Sequence, residues 1–96
     1  MKIICRNNCS GKTKELIKES LDTQTPILVF SDSKRRSLED KSLAYFNELV
    51  ETIDVLEAKN YNGKVLIDDL EENLDSLLKH AFNNPMLSVG AMTLSA

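Results

Sequence analysis

The chain has no tryptophan, and its 96 residues include only two tyrosines, three phenylalanines, two prolines, three glycines and one histidine. With so little proline and glycine, and no repeat, no linker divides the sequence, so residues 1–96 read as a single domain. Cysteine is confined to Cys5 and Cys9. Together with His80 they are too few for a tetrahedral zinc site, and a reduced, cytoplasmic protein is expected. No apolar run approaches the ~20 residues that cross a bilayer, and residues 1–9 lack the long apolar stretch of a secretion signal. A soluble, unprocessed chain with no membrane partner is therefore expected. An excess of basic charge is also missing: the net charge is -3. That balance gives no field to draw a nucleic-acid backbone, so nucleic acid is not an expected partner.

What is present suits a packed core. The chain is 42% hydrophobic and 28% charged, the composition of a globular domain, and at this length roughly 60–70% of the unfolded surface is buried on folding. Lys2–Cys5 is a short apolar run that predicts a buried strand, with Cys5 as a small buried residue. Gly11–Leu21 predicts a helix with Leu16, Ile17 and Leu21 on one side. Ile27–Phe30 is too short and too β-branched for a helix and predicts a strand buried on both faces. A second helix is expected from Ser37, or from as early as Lys34, with Leu38, Leu43, Phe46, Leu49 and Val50 as its apolar stripe. Ile53 and Val55 predict an edge strand, and Asn62-Gly63 a turn before the strand Val65–Ile67. Leu70, Leu74, Leu77, Leu78 and Ala81 predict a third helix, stopped at Asn83-Asn84-Pro85, and Met86–Met92 predicts a last strand. The alternation implies an α/β three-layer sandwich: a mostly parallel sheet of four or five strands with helices on both faces. Ligands of such sheets bind at the carboxyl ends of the strands.

Two polar clusters fall at those ends. Arg6-Asn7-Asn8-Cys9-Ser10-Gly11-Lys12-Thr13 occupies the turn from the first strand into the first helix, where a phosphate-binding loop belongs. Backbone N–H groups of Asn8, Cys9, Ser10 and Gly11 would wrap phosphate oxygens, and the helix N-terminus adds a positive dipole end. Lys12 would reach terminal phosphates and Thr13 would complete a Mg²⁺ site. The pattern G-x-x-x-x-G-K-[ST] opens with glycine, and this chain has Arg6 there. The second cluster is Asp68-Asp69, which follows Val65–Ile67. Asp68 would hold the metal and Asp69 would orient the attacking water, or one of them caps the third helix. Lys34, Arg35 and Arg36 read as a solvated helix start, and His80 as a solvated side chain near a helix C-terminus.

The string Ser10-Gly11-Lys12-Thr13-Lys14-Glu15-Leu16-Ile17 resembles the P-loop and following helix of RecA-like NTPases, including thymidine-kinase-type enzymes and small bacteriophage P-loop proteins. Val65–Asp69 is similar to the Walker B segment of that class. The resemblance implies a minimal P-loop fold, Mg²⁺ and ATP as cofactors, and Thr93 as the sensor-like residue of the last strand. It also implies that this strand inserts between the strands of the two motifs. Lys2–Cys5 would then lie at a sheet edge, with Ile3 and Ile4 incompletely covered, which favours a homodimer or a protein partner there. Two functions follow as expectations: a nucleotide-binding module with weak or partner-dependent hydrolysis, or a degenerate P-loop fold without catalysis. The second would serve as a phage-type inhibitor of a host enzyme or defence system, such as an anti-CRISPR protein.

Overall fold

Five short aliphatic segments pair side by side because none is long enough to bury itself as a helix, and each is bounded by turn residues or a helix cap. The computed structural model describes residues 1–6, 11–81 and 83–95. In chain order the elements are β1 Lys2–Arg6, α1 Lys12–Thr23, β2 Ile27–Leu28, α2 Asp32–Phe46, β3 Thr52–Ile53, α3 Val55–Ala58, β4 Gly63–Ile67, α4 Leu70–Ser76 and β5 Leu87–Ser95. A π-helical turn, Leu77–Ala81, continues α4. All strand pairs are parallel and the sheet order is β1-β5-β4-β2-β3.

Side-chain alternation along the strands splits the core into two faces. On one face Ile4, Ile27, Val29, Leu66 and Ala91 pack with Leu16 and Ile17 of α1 and Leu38 of α2. On the other, Leu28, Ile53, Val65, Ile67 and Met92 pack with Ala58 of α3 and Leu77. The result is the three-layer α/β sandwich that the alternation of elements implies. Among the described residues no helix is long and apolar enough to cross a membrane.

One irregularity sets the phase of the sheet. Val65 of β4 faces Val89 of β5, but the next residue, Leu66, faces Ala91, so Gly90 is an extra residue. This β-bulge reverses which side chains of β5 point to which face. Beyond it Ala91 joins the α1 face and Met92 the opposite one. Without the bulge the register would place Met92, not Thr93, beside Asp68.

Several elements differ from the sequence expectations for clear reasons. Among the described residues β1, at the edge, pairs only with β5, and its side chains alternate. Ile4 is buried under α1, whereas Ile3 is 55% exposed and Cys5 is exposed, because no helix among the described residues covers that face of an outermost strand. Helix α2 begins at Asp32, since the Ser31 hydroxyl caps it by accepting the Lys34 N–H at 3.1 Å. Val55 opens a short helix rather than extending β3, because Asp54 and Glu57 form a capping box. The predicted apolar stripes are only partly used: Leu43, Leu49, Leu74 and Leu78 are exposed. Leu77, seven residues after the partly buried Leu70 and so on the same side of the helix, is fully buried, whereas its neighbour Leu78 is exposed.

Two neighbouring substitutions test that difference in burial. Leu77→Ala should destabilise the fold by about 2–4 kcal/mol through loss of a fully buried side chain, and Leu78→Ala should stay within about 0.5 kcal/mol. Urea unfolding of both variants is the check; equal losses would mean that Leu78 is buried as Leu77 is.

Candidate functional site

The carboxyl ends of β4 and β5 and the N-terminal turns of α1 and α2 meet at one corner of the sheet. Gly11, with φ 82°, is the N-cap of α1 and supplies no side-chain cap. A Cβ there would meet nothing within 4 Å, so glycine is needed for its left-handed backbone and not for space. The next residue, Lys12, is buried, and its Nζ donates to Ser95 Oγ and lies 3.4 Å from Asp69 Oδ1.

Asp68 is the centre of the corner, 2% exposed. Thr93 donates its hydroxyl to Asp68 Oδ1 at 2.6 Å, and the Thr13 hydroxyl lies 3.2 and 3.1 Å from Oδ1 and Oδ2. Lys34 Nζ donates to Asp68 Oδ2 at 2.6 Å and to Asp69 Oδ2 at 3.0 Å. A buried carboxylate is tolerated only when paired and hydrogen-bonded, and β5, α1 and α2 supply the partners.

Asp69 is the N-cap residue of α4, yet its side chain makes no cap hydrogen bond and its backbone is left-handed at φ 54°. The conformation is held from both sides: its N–H donates to Thr93 Oγ1 at 2.7 Å and its carbonyl accepts from Asn73 Nδ2 at 3.1 Å. The turn thereby frees the Asp69 carboxylate to reach the two lysines. Helix capping by the Asp69 side chain, one of the uses expected for this pair of acids, is not made.

Electrostatics follow from this packing. Burial pulls the Lys34 ammonium down, but its hydrogen bonds and charge pairing with Asp68 and Asp69 outweigh burial and hold its pKa above the ordinary lysine value. Burial pushes Asp69 up, and the hydrogen bonds and charges of Lys34 and then Lys12 outweigh it, leaving the carboxyl below its usual range. Glu71 is also held low: slight burial raises it, while its own N–H, the Ser95 side chain and N–H, and Lys12 lower it further. Beside the corner a cleft opens between α1 and α2, lined by Gly11, Lys12, Thr13, Lys14, Lys41 and Tyr45. The Lys14 ammonium sits 5.0 Å from the centre of the Tyr45 ring, a cation–π distance.

Of the residues singled out from the sequence, Lys12, Thr13, Asp68, Asp69 and Thr93 are brought together, and Gly11 flanks them. Asn8, Cys9 and Ser10 lie outside the described residues, as does the side chain of His80. Lys34 is the member that sequence reasoning missed; it read as a solvated cation and is instead the direct partner of both acids. Arg35 is likewise engaged, donating to Thr52 Oγ1 at 3.1 Å and lying 3.8 Å from Glu57. Ser95, Asn73 and Glu71 were also missed. For Lys34 a usable signal existed: Ser31 three residues earlier is a helix cap, which places Lys34 in the first turn of a helix that follows a strand, at the ligand-binding end of the sheet.

Thr13 and Asp68 are the donor pair that the sequence resemblance assigns to Mg²⁺. As arranged they do not fit a divalent cation, because Lys34 Nζ already occupies Asp68 Oδ2 and Asp69 Oδ2. Among the described residues no three His, Cys, Asp or Glu side chains gather to hold a metal ion. Fold and corner define an α/β sandwich with a charged site at its strand ends. No family model matches the chain, and neither curated proteins nor solved structures give a match.

The pKa directions set a pH dependence. Asp69, held low, contributes stability that is whole above its unfolded value of about 4 and is lost as pH falls through the lower folded value. Lys34, held high, contributes stability that is whole below its unfolded value of about 10.4 and is lost as pH rises through the higher folded one. Asp69→Asn should therefore melt below the wild type at neutral pH, with the gap closing as pH falls below about 4. Thermal melts across that range check it; a gap independent of pH would contradict the assignment.

Proposed function

We propose that this domain binds a phosphate-bearing ligand, a nucleoside triphosphate with ATP as the default, at the N-terminus of α1. The observation that carries the reading is the Thr13–Asp68 contact, which joins the Gly11-Lys12-Thr13 turn to the acid-ended strand 55 residues away. The strand between them is β5, the arrangement that the resemblance to P-loop proteins implies. The positive end of a twelve-residue helix and the lysine-lined cleft add the field that an anion needs. A chain of net charge -3 thus gathers Lys12, Lys14 and Lys41 around one opening. Mg²⁺ is no part of this reading.

Hydrolysis in this reading is slow. Asp69 is the nearest carboxylate to Lys12, and a carboxyl held low by two lysines is a poor proton acceptor. Arg35 is engaged with Thr52 and the acids around it, and no arginine of this chain is assigned to stabilising charge in the transition state. Two observations favour the second reading, in which the motif has lost its chemistry and the domain acts by protein contact. The two acids and two lysines of the corner already satisfy one another, and Ile3 on the β1 edge is left uncovered.

A fluorescent ATP analogue titrated into the wild type and into Lys12→Ala separates the two. Nucleotide binding predicts a loss of tenfold or more in the variant, about 1.4 kcal/mol or above. Equal affinities would leave the contact-protein reading standing. Turnover by the isolated domain should stay well below ~1 s⁻¹, the lower end for kinases.

A further inference from the structure

We propose that the Lys34 ammonium is the resident cation of the Thr13–Asp68 corner, standing where a divalent metal would be held, so that the domain takes its phosphate ligand without Mg²⁺. The ligand half of this proposal rests on the reading above; the metal half does not.

Geometry is the first support. A Mg²⁺ shared by a threonine hydroxyl and a carboxylate needs their oxygens turned towards it at about 2.0–2.1 Å, with further octahedral positions open. Here the Thr13 hydroxyl lies within hydrogen-bond reach of both oxygens of Asp68, and the remaining direction from Oδ2 is taken by Lys34 Nζ at 2.6 Å. Asp69 offers no second anchor, since Lys34 and Lys12 lie 3.0 and 3.4 Å from its two oxygens.

Charge is the second. Asp68 and Asp69 carry two negative charges and are matched directly by Lys34 and Lys12, with Glu71 standing further out beside Ser95, so the two acids draw a divalent ion weakly. Lys34 is also held at its base. It lies in the first turn of α2, where Ser31 caps its own N–H, so its backbone is fixed and its side chain reaches both acids at once. Expelling it would break two ion pairs, one of them to a buried carboxylate. A magnesium ion, which gives up its water reluctantly, is poorly suited to that exchange.

Consequences for the ligand follow. A phosphate arriving at Gly11 and Lys12 meets the lysines of the cleft directly, and Lys34 does the work of neutralising Asp68, which would otherwise repel the anion. Lys34 is thus a positioning residue: it holds the acid corner and leaves the phosphate to Lys12.

The test begins with the metal alone. Mn²⁺ is titrated into the full chain without nucleotide and the free ion is followed by electron paramagnetic resonance. Wild type should bind no Mn²⁺ more tightly than the millimolar range, Lys34→Met should gain at least about tenfold, and adding Asp68→Asn should remove the gain. Micromolar binding by wild type that Asp68→Asn abolishes would overturn the proposal, as would a Lys34→Met variant that gains nothing. If Lys34→Met does not fold, the wild-type and Asp68→Asn titrations decide it. The second arm is the fluorescent ATP analogue in EDTA and in Mg²⁺. Wild type should bind equally in both, and a requirement for Mg²⁺ would refute the metal-free ligand. Absence of binding in both buffers would sink the nucleotide reading instead, and the Mn²⁺ titrations would then judge the role of Lys34.

Discussion

A carboxylate taken out of water has to be met by donors and by a cation, and Asp68 is such a group. It sits at the end of β4, and its partners come from three places far apart in sequence: Thr13 at the start of α1, Lys34 in α2 and Thr93 on β5. Each partner is correct only if its element is placed correctly. The pairing of β5 with β4 must include the bulge at Gly90, and α2 must start at the Ser31 cap. The buried acid therefore works as a registry device. A slip of one residue in β5 would turn Thr93 away and present a thioether to the carboxylate, at a cost of several kcal/mol for a buried charge that loses a partner.

The same requirement explains why the corner is crowded and polar in a protein whose core is otherwise aliphatic. Asp69 adopts a left-handed backbone, which an aspartate tolerates better than most residues. That turn is secured by Thr93 on its N–H and by Asn73 on its carbonyl. Strain and hydrogen bonds are thus spent on aiming a second carboxylate at two lysines. A purely structural corner could have been filled with leucine at less cost, and concentration of this kind at the strand ends is what the functional reading rests on.

Much of the architecture was legible because it depends on local pattern. The runs at Lys2–Cys5 and Val65–Ile67 gave strands at their observed places, the run at Ile27–Phe30 holds a shorter one at Ile27–Leu28, and Leu16 with Ile17 gave the buried face of α1. The acids after β4 and the lysine and threonine after Gly11 were legible as a pair. What escaped depends on tertiary geometry. Helical periodicity puts Leu74 and Leu78 on the apolar stripe but does not reveal how much of that stripe a neighbour covers: Leu77 and, in part, Leu70 meet the core, while Leu74 and Leu78 are exposed. Cys5 reads as buried by composition, but burial requires something on top of it, and the outermost strand has cover on one face only. Lys34 reads as solvated because a sequence does not reveal that the first turn of α2 lies against the ends of β4. The cap at Ser31 and the lone glycine at Gly90 were the available signs, and each acquires meaning only once the strand order is known.

The central claim is that Asp68 and Lys34 form one energetic unit, and a double-mutant cycle in urea unfolding measures that directly. Asp68→Asn, Lys34→Met and the pair of substitutions together should show a coupling of about 1.5–3 kcal/mol, the range for partners in a buried ion pair. Additive losses, with a coupling within about 0.5 kcal/mol of zero, would contradict it and would mean that the two side chains are neighbours without being partners.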